Sequence, residues 1–204
     1  GATVMFEITV FNAAVFLMGQ FGTDAIAAHA IAIQIASTTF MVPMGVAEAT
    51  TVRVGHAVGS GDVAGIRRAA HAGYVIVLAT QAMSALFLLL GHDLVVSLYT
   101  DDLAVAALAG TLLLFAAAFQ FPDGIQVLSA GALRGLKDTR VPMWLAVVSY
   151  WGLGMPLGAG LGLGLGWGPQ GMWLGLIVGL TAAAVLLGWR FERSSRRRPA
   201  VMSA

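Results

Sequence analysis

The sequence predicts an all-α integral membrane fold, a bundle of six transmembrane helices. Three observations predict it. Hydrophobic residues fill 58% of the 204 positions and charged residues only 10%. Mean hydropathy is +0.85. The Lys and Arg residues, eleven in all, gather at every second junction between apolar runs. A water-soluble domain carries about 25% charged residues, so this chain has too few to clothe a surface facing water.

A bilayer core of about 30 Å needs roughly 20 apolar residues of helix. Apolar runs cover about 2–21, 25–52, 69–91, 103–132, 141–165 and 170–189, each long enough to cross. Together they define a membrane lobe over 1–190, followed by a basic tail over 191–204. The second and fourth runs are the longest, so those helices are expected to tilt or to extend past the hydrocarbon. Apolar residues on all faces leave no periodicity from which to read a buried face.

Charge sets the orientation. Arg53, Arg67 and Arg68 stand between the second and third runs, and Arg134, Lys137 and Arg140 between the fourth and fifth. Arg190, Arg193, Arg196, Arg197 and Arg198 follow the sixth. The other junctions carry Asp24, Asp93, Asp101 and Asp102 instead. Under the positive-inside rule the C-terminus is expected in the cytoplasm. The arginine-rich tail is explained by this topology and by attraction to anionic lipids, with no nucleic-acid partner invoked.

The opening GATVMFEITVFN has no basic segment before its apolar run and does not have the form of a signal peptide. It reads as a chain that begins inside a helix, with further residues expected upstream. The absence of cysteine excludes thiol catalysis, disulfides and thiolate metal sites. His29, His56, His71 and His92 are scattered without a metal-ligand spacing. Of these His29 lies well inside a predicted span, where a hydrogen-bonded interior role is expected. No G-x-S-x-G elbow or Ser/His pair supports an enzyme, and the single lysine, Lys137, falls in a loop. The glycine-rich stretch 152–168 contains small-xxx-small pairs at Gly154/Gly158, Gly158/Gly162 and Gly160/Gly164, suited to close helix packing and ending in a loop.

Three carboxylates fall within the predicted spans: Glu7, Glu48 and Asp123. A charge at the bilayer centre costs at least about 2.5–3.5 kcal/mol, so such residues normally face a cavity and mark an ion or substrate path. Asp123 stands eleven residues before Arg134, about 16 Å along a helix and near the midplane. Pro122 precedes it and is expected to kink the helix. Gln120 and Gln126 flank it at three residues on either side. An acid, two amides and a kink suit a cation site built from oxygen ligands. Glu7 is placed in the inner half of its span, and Glu48, five residues before Arg53, near a water-exposed helix end.

Four stretches resemble the multidrug and toxic compound extrusion (MATE) family, in particular its NorM-like bacterial branch. They are MFEITVFNAAVFLMGQFGTDAIAAHAIAIQIASTTFMVPMGV, EATTVRVGHAVGSGD, FPDGIQVLSAGALRGLKDTRVPM and YWGLGMPLGAGLGLGLGWGPQGMWLGLIVGLTAAAVLL. The resemblance runs nearly end to end, but against the family's C-terminal half. It implies one lobe of a twelve-helix transporter in the bacterial cytoplasmic membrane, with an N-terminal lobe of the same protein as partner. It implies a secondary active exporter that antiports Na⁺ or H⁺ against small organic, often cationic compounds and carries no cofactor. It places the coupling cation at Glu7 and Asp123, and Phe119, one turn before Asp123, at a position lining the cavity. The alternative within the same superfamily is a lipid or polysaccharide flippase, which calls for basic residues in the cavity.

Overall fold

The computed structural model describes Thr9 and residues 12–197. Among these the chain is helical, with no β-strand. Helix α1 is described over 12–18 and closes in a 3₁₀ turn at Gly19–Phe21. Then follow α2 (Thr23–Gly59), α3 (Val63–Ser97) and α4 (Leu103–Gly135). A continuous helical rod, α5 (Arg140–Gly164), precedes α6 (Gly168–Arg197). Five of these, α2 to α6, are long and apolar enough to cross a membrane. The first predicted span, 2–21, lies largely outside the described residues.

Short polar turns end the helices by recognisable means. The Asp62 carboxylate accepts the Gly65 N–H at 2.8 Å and starts α3. Asp102 accepts the Ala104 and Val105 N–H groups at 2.8 and 3.3 Å and starts α4, satisfying donors that a helix start leaves orphaned. The ends of α2 and α4 share one design. After α2 the Asp62 N–H reaches back to the Ala57 carbonyl, with Gly61 at φ +73° between. After α4 the Asp138 N–H reaches back to Leu133, with Lys137 at φ +62° in the corresponding place. Both closures satisfy terminal carbonyls through a left-handed residue, a conformation that glycine adopts without cost and lysine does not.

Helix α4 is the axis of the lobe. It packs against α2, α3 and α6, and its buried residues include Ala109, Leu112, Leu113, Ala116, Phe119, Leu128 and Leu133. Pro122 lies inside α4 and Pro43 inside α2, and both helices continue through them. Apolar lipid supplies no hydrophobic drive between helices, so close packing and interhelical hydrogen bonds hold such a bundle together. Both are present. The Thr51 hydroxyl donates to the Gly131 carbonyl at 2.8 Å, Tyr74 and Ser129 hydroxyls bond at 2.7 Å, and the Gln81 amide donates to the Gln120 carbonyl at 3.0 Å. These tie α2 and α3 to α4.

Glycine governs the closest approaches. A methyl group on Gly131 or Gly135 of α4 would strike the backbone oxygens of Ala47 and Thr51 on α2. Gly154, Gly158 and Gly162 of α5 face Gly171, Gly175 and Gly179 of α6, backbone against backbone. The predicted pairs Gly154/Gly158 and Gly158/Gly162 are therefore packing surfaces. Gly160/Gly164 is not, because both positions open onto free space. The α5 rod turns by wider π-type steps over Val148–Gly154 and Gly160–Gly164. Residues two apart point to nearly opposite sides of a helix, so with Gly158 and Gly162 against α6, Gly160 and Gly164 point away from it. The loop expected after the glycine stretch spans 165–167.

The basic junctions meet at one end of the bundle. Arg134 and Glu48 pair at 2.7 Å between α4 and α2. Arg190 and Asp138 pair at 2.9 Å. Glu192 of α6 bonds His71 at 3.1 Å and lies 3.6 Å from Arg67, both on α3. At the opposite outer faces, large apolar side chains such as Phe16, Leu90 and Leu103 are more than three-quarters exposed, as a surface facing lipid requires.

Candidate functional site: a polar cavity at Asp123

A cavity of about 270 Å³ opens beside the middle of α4. Asn12, Ile33, Ala36, Ser37, Phe40, Phe119, Asp123, Gln126, Tyr150 and Leu180 line it. Helices α1, α2, α4, α5 and α6 all contribute, so it lies at the centre of the lobe. Its chemistry is mixed: one carboxylate, two amides and two hydroxyls among aromatic and aliphatic walls. Oxygen donors of this kind suit a hard monovalent cation or a proton, and the aromatic rings suit a lipophilic organic cation.

The helical repeat explains which residues of α4 face it. At 100° per residue, Phe119, Asp123 and Gln126 fall within about 60° of one another on the helix surface. Gln120 falls about 60° from Asp123 on the other side, about 120° from Gln126, so spacing alone leaves it beside Asp123. It was expected to share the face of Asp123, and the structure turns it away. Gln120 is buried at 1% exposure, and its carbonyl accepts from Gln81 on α3. Its side-chain amide has no partner among the described residues.

Phe119, Asp123 and Gln126 line the cavity. Glu7 lies outside the described residues. Glu48 sits at the basic end in its pair with Arg134, away from the cavity. Asn12, Ser37, Phe40 and Tyr150 are cavity residues that sequence reasoning missed. Asn12, Ser37 and Tyr150 carried a signal, a polar group within an apolar run, but a hydroxyl in a helix more often bonds its own backbone.

His29 departs from expectation. It is buried at 2% exposure, and neither ring nitrogen has a hydrogen-bond partner among the described residues. Its ring packs edgewise on Trp173 at 5.8 Å, and Trp173 packs edgewise on Phe119 at 5.6 Å. His29 is held by aromatic packing. Among the described residues no group of three His, Cys, Asp or Glu side chains converges as a metal site.

The structure is a helical membrane lobe with a carboxylate at its centre, set in a cavity of aromatic and aliphatic walls. The MatE family profile matches residues 1–159, and this chain belongs to the MatE, or MATE, family. It is 72% identical over 197 residues to the probable multidrug resistance protein NorM of Xanthomonas campestris pv. campestris, covering 97% of this chain and 43% of that protein. It is 46% identical over 208 residues to the probable multidrug resistance protein NorM of Rhizobium meliloti, covering 99% and 44%. The chain thus spans under half the length of these curated relatives. Among solved structures it superimposes on the eukaryotic MATE transporter AtDTX14 with a TM-score of 0.86 at 19% identity, over 96% of this chain and 45% of that one. A MOP superfamily transporter from Pyrococcus furiosus gives 0.84 at 16% identity, over 92% and 41%.

Proposed function

We propose that this chain is the C-terminal lobe of a secondary active multidrug exporter that antiports Na⁺ or H⁺ against organic, often cationic compounds. The observation that carries the reading is Asp123, an acid in the middle of an apolar helix, opening into a cavity with Asn12, Ser37 and Gln126. The relatives named as multidrug resistance proteins support the substrate class. Glu7 completes the cation site in this reading, as the family resemblance implies. The N-terminal lobe, from the remaining length of the relatives, completes the translocation path. The basic end, with the C-terminus, faces the cytoplasm of a bacterial cytoplasmic membrane.

Coupling follows from charge. With its carboxylate ionised, the cavity favours a cation. A proton or Na⁺ at Asp123 removes that preference and lowers the affinity for a cationic drug. A ligand shifts the inward–outward equilibrium only by its differential affinity for the two states, so competition for Asp123 is the coupling. Among the described residues no Lys or Arg lines the cavity, which argues against a flippase holding a lipid-linked pyrophosphate.

The test uses the full-length protein in everted vesicles, following efflux of a cationic dye under imposed Na⁺ and H⁺ gradients. Gradient-driven efflux that Asp123→Asn abolishes is the expected result, and the effective gradient names the ion. Fully coupled efflux in Asp123→Asn would remove Asp123 from the mechanism.

A further inference from the structure

A crevice larger than the Asp123 cavity lies elsewhere in the lobe. A groove of about 1050 Å³ runs between α2 and α3 at the basic end of the bundle. Arg53, His56, Asp62 and Arg68 line its mouth, while Val46, Ala49, Ala72 and Ile76 line its floor. We propose that this groove is a binding site for an anionic phospholipid, with the phosphate held at Arg53 and Arg68 and an acyl chain laid along α2 and α3.

Position supports this. Arg53 stands thirty residues after the start of α2 at Thr23, about 45 Å along the helix. A bilayer with its headgroups is about 40–45 Å thick, so Arg53 falls at the phosphate level. Val46 and Ala49 lie roughly 10 and 6 Å closer to the bilayer centre. On α3, Ile76 lies about 12 Å deeper than Arg68. The groove therefore changes from cationic to apolar along the direction in which a phospholipid changes from phosphate to acyl chain.

Charge supports it as well. Two guanidinium groups and one imidazole face a single carboxylate, Asp62, which lies 3.3 Å from Arg68 and also caps α3. Arg67, Arg134, Arg190 and Arg196 at the same end each have an acidic partner. Arg53 makes no ion pair among the described residues. A surplus positive charge beside an open apolar crevice matches an anion with a hydrocarbon tail. By contrast the crevice at Met83, Leu86, Phe87, Leu90 and Gly91 has no charged anchor. The inference goes beyond the transport reading and stands apart from Asp123.

Native mass spectrometry of the full-length protein, titrated with dioleoyl-phosphatidylglycerol and with dioleoyl-phosphatidylcholine, tests it. The phosphatidylglycerol adduct is expected to be the tighter. Arg53→Gln should weaken it about fivefold, the loss of one interfacial basic residue, while Arg196→Gln changes it by less than about twofold. Ala72→Leu, which fills the floor, should weaken it too, and inorganic phosphate should not displace it. Equal binding of the two lipids would overturn the proposal. So would equal effects of Arg53→Gln and Arg196→Gln, which indicate diffuse surface attraction. Loss of the adduct to inorganic phosphate would assign the site to a free anion. Absence of any adduct would overturn it as well.

Discussion

Replacing Gly175 with alanine drives a methyl group into the backbone of the facing helix. The added Cβ would lie 2.3 Å from both the amide nitrogen and the Cα of Gly158, and 2.6 Å from the Gly154 carbonyl oxygen. Ordinary van der Waals contact begins at 3.4 Å, so α5 and α6 must separate by about 1.1 Å, the difference between 3.4 and 2.3 Å. No side chain can rotate aside, because all three obstacles are backbone atoms. Forced overpacking of this kind costs about 1–3 kcal/mol, and the upper part of that range applies here. Gly160→Ala is the control. Gly160 is helical, at φ −63° and ψ −45°, and has nothing within 4 Å, so its substitution gains at most the helix propensity of alanine, up to about 1 kcal/mol. Unfolding of the full-length protein in mixed detergent micelles, followed by tryptophan fluorescence, compares the two. Gly175→Ala is expected to lose about 2–3 kcal/mol relative to Gly160→Ala. Equal midpoints would show that close α5–α6 contact does not hold the lobe together.

Three further predictions concern the basic end. Lys137→Gly should stabilise the fold by about 1 kcal/mol, since it relieves a left-handed backbone that glycine adopts freely; the same micelle titration reads it, and a loss of stability would mean that the lysine side chain has a compensating role. Glu48→Gln breaks a pair whose members are 57% and 43% exposed and should shift stability by no more than about 1 kcal/mol. Asp138→Asn breaks the more enclosed pair with Arg190, at 19% and 34% exposure, and should cost about 1.5 kcal/mol, more than Glu48→Gln. The reverse order would mean that burial does not rank these pairs.

Hydropathy and charge are properties of the chain read one residue at a time, and they determined the class of this protein. The apolar runs over 25–52, 69–91, 103–132, 141–165 and 170–189 fall within α2 to α6, apart from a residue at the end of α5, because a segment's own side chains decide whether it can lie in lipid. The acid at Asp123 was legible for the same reason: a charge in such a segment needs an explanation wherever its neighbours stand. The family was legible too, through the stretch around FPDGIQVLSAGALRGLKDTRVPM. Which faces meet was not legible. Helices that are apolar all round carry no stripe to mark the interior, so only the packed bundle decided that Gln120 turns to α3 while Asn12, Ser37 and Tyr150 join Asp123. The glycines show the same division. Their spacing announced close packing and put Gly154, Gly158 and Gly162 on a different face from Gly160 and Gly164, but only the bundle decided which face meets α6. Residues two apart point to opposite sides of a helix, and which side is the interior is settled only when a neighbouring helix packs against it.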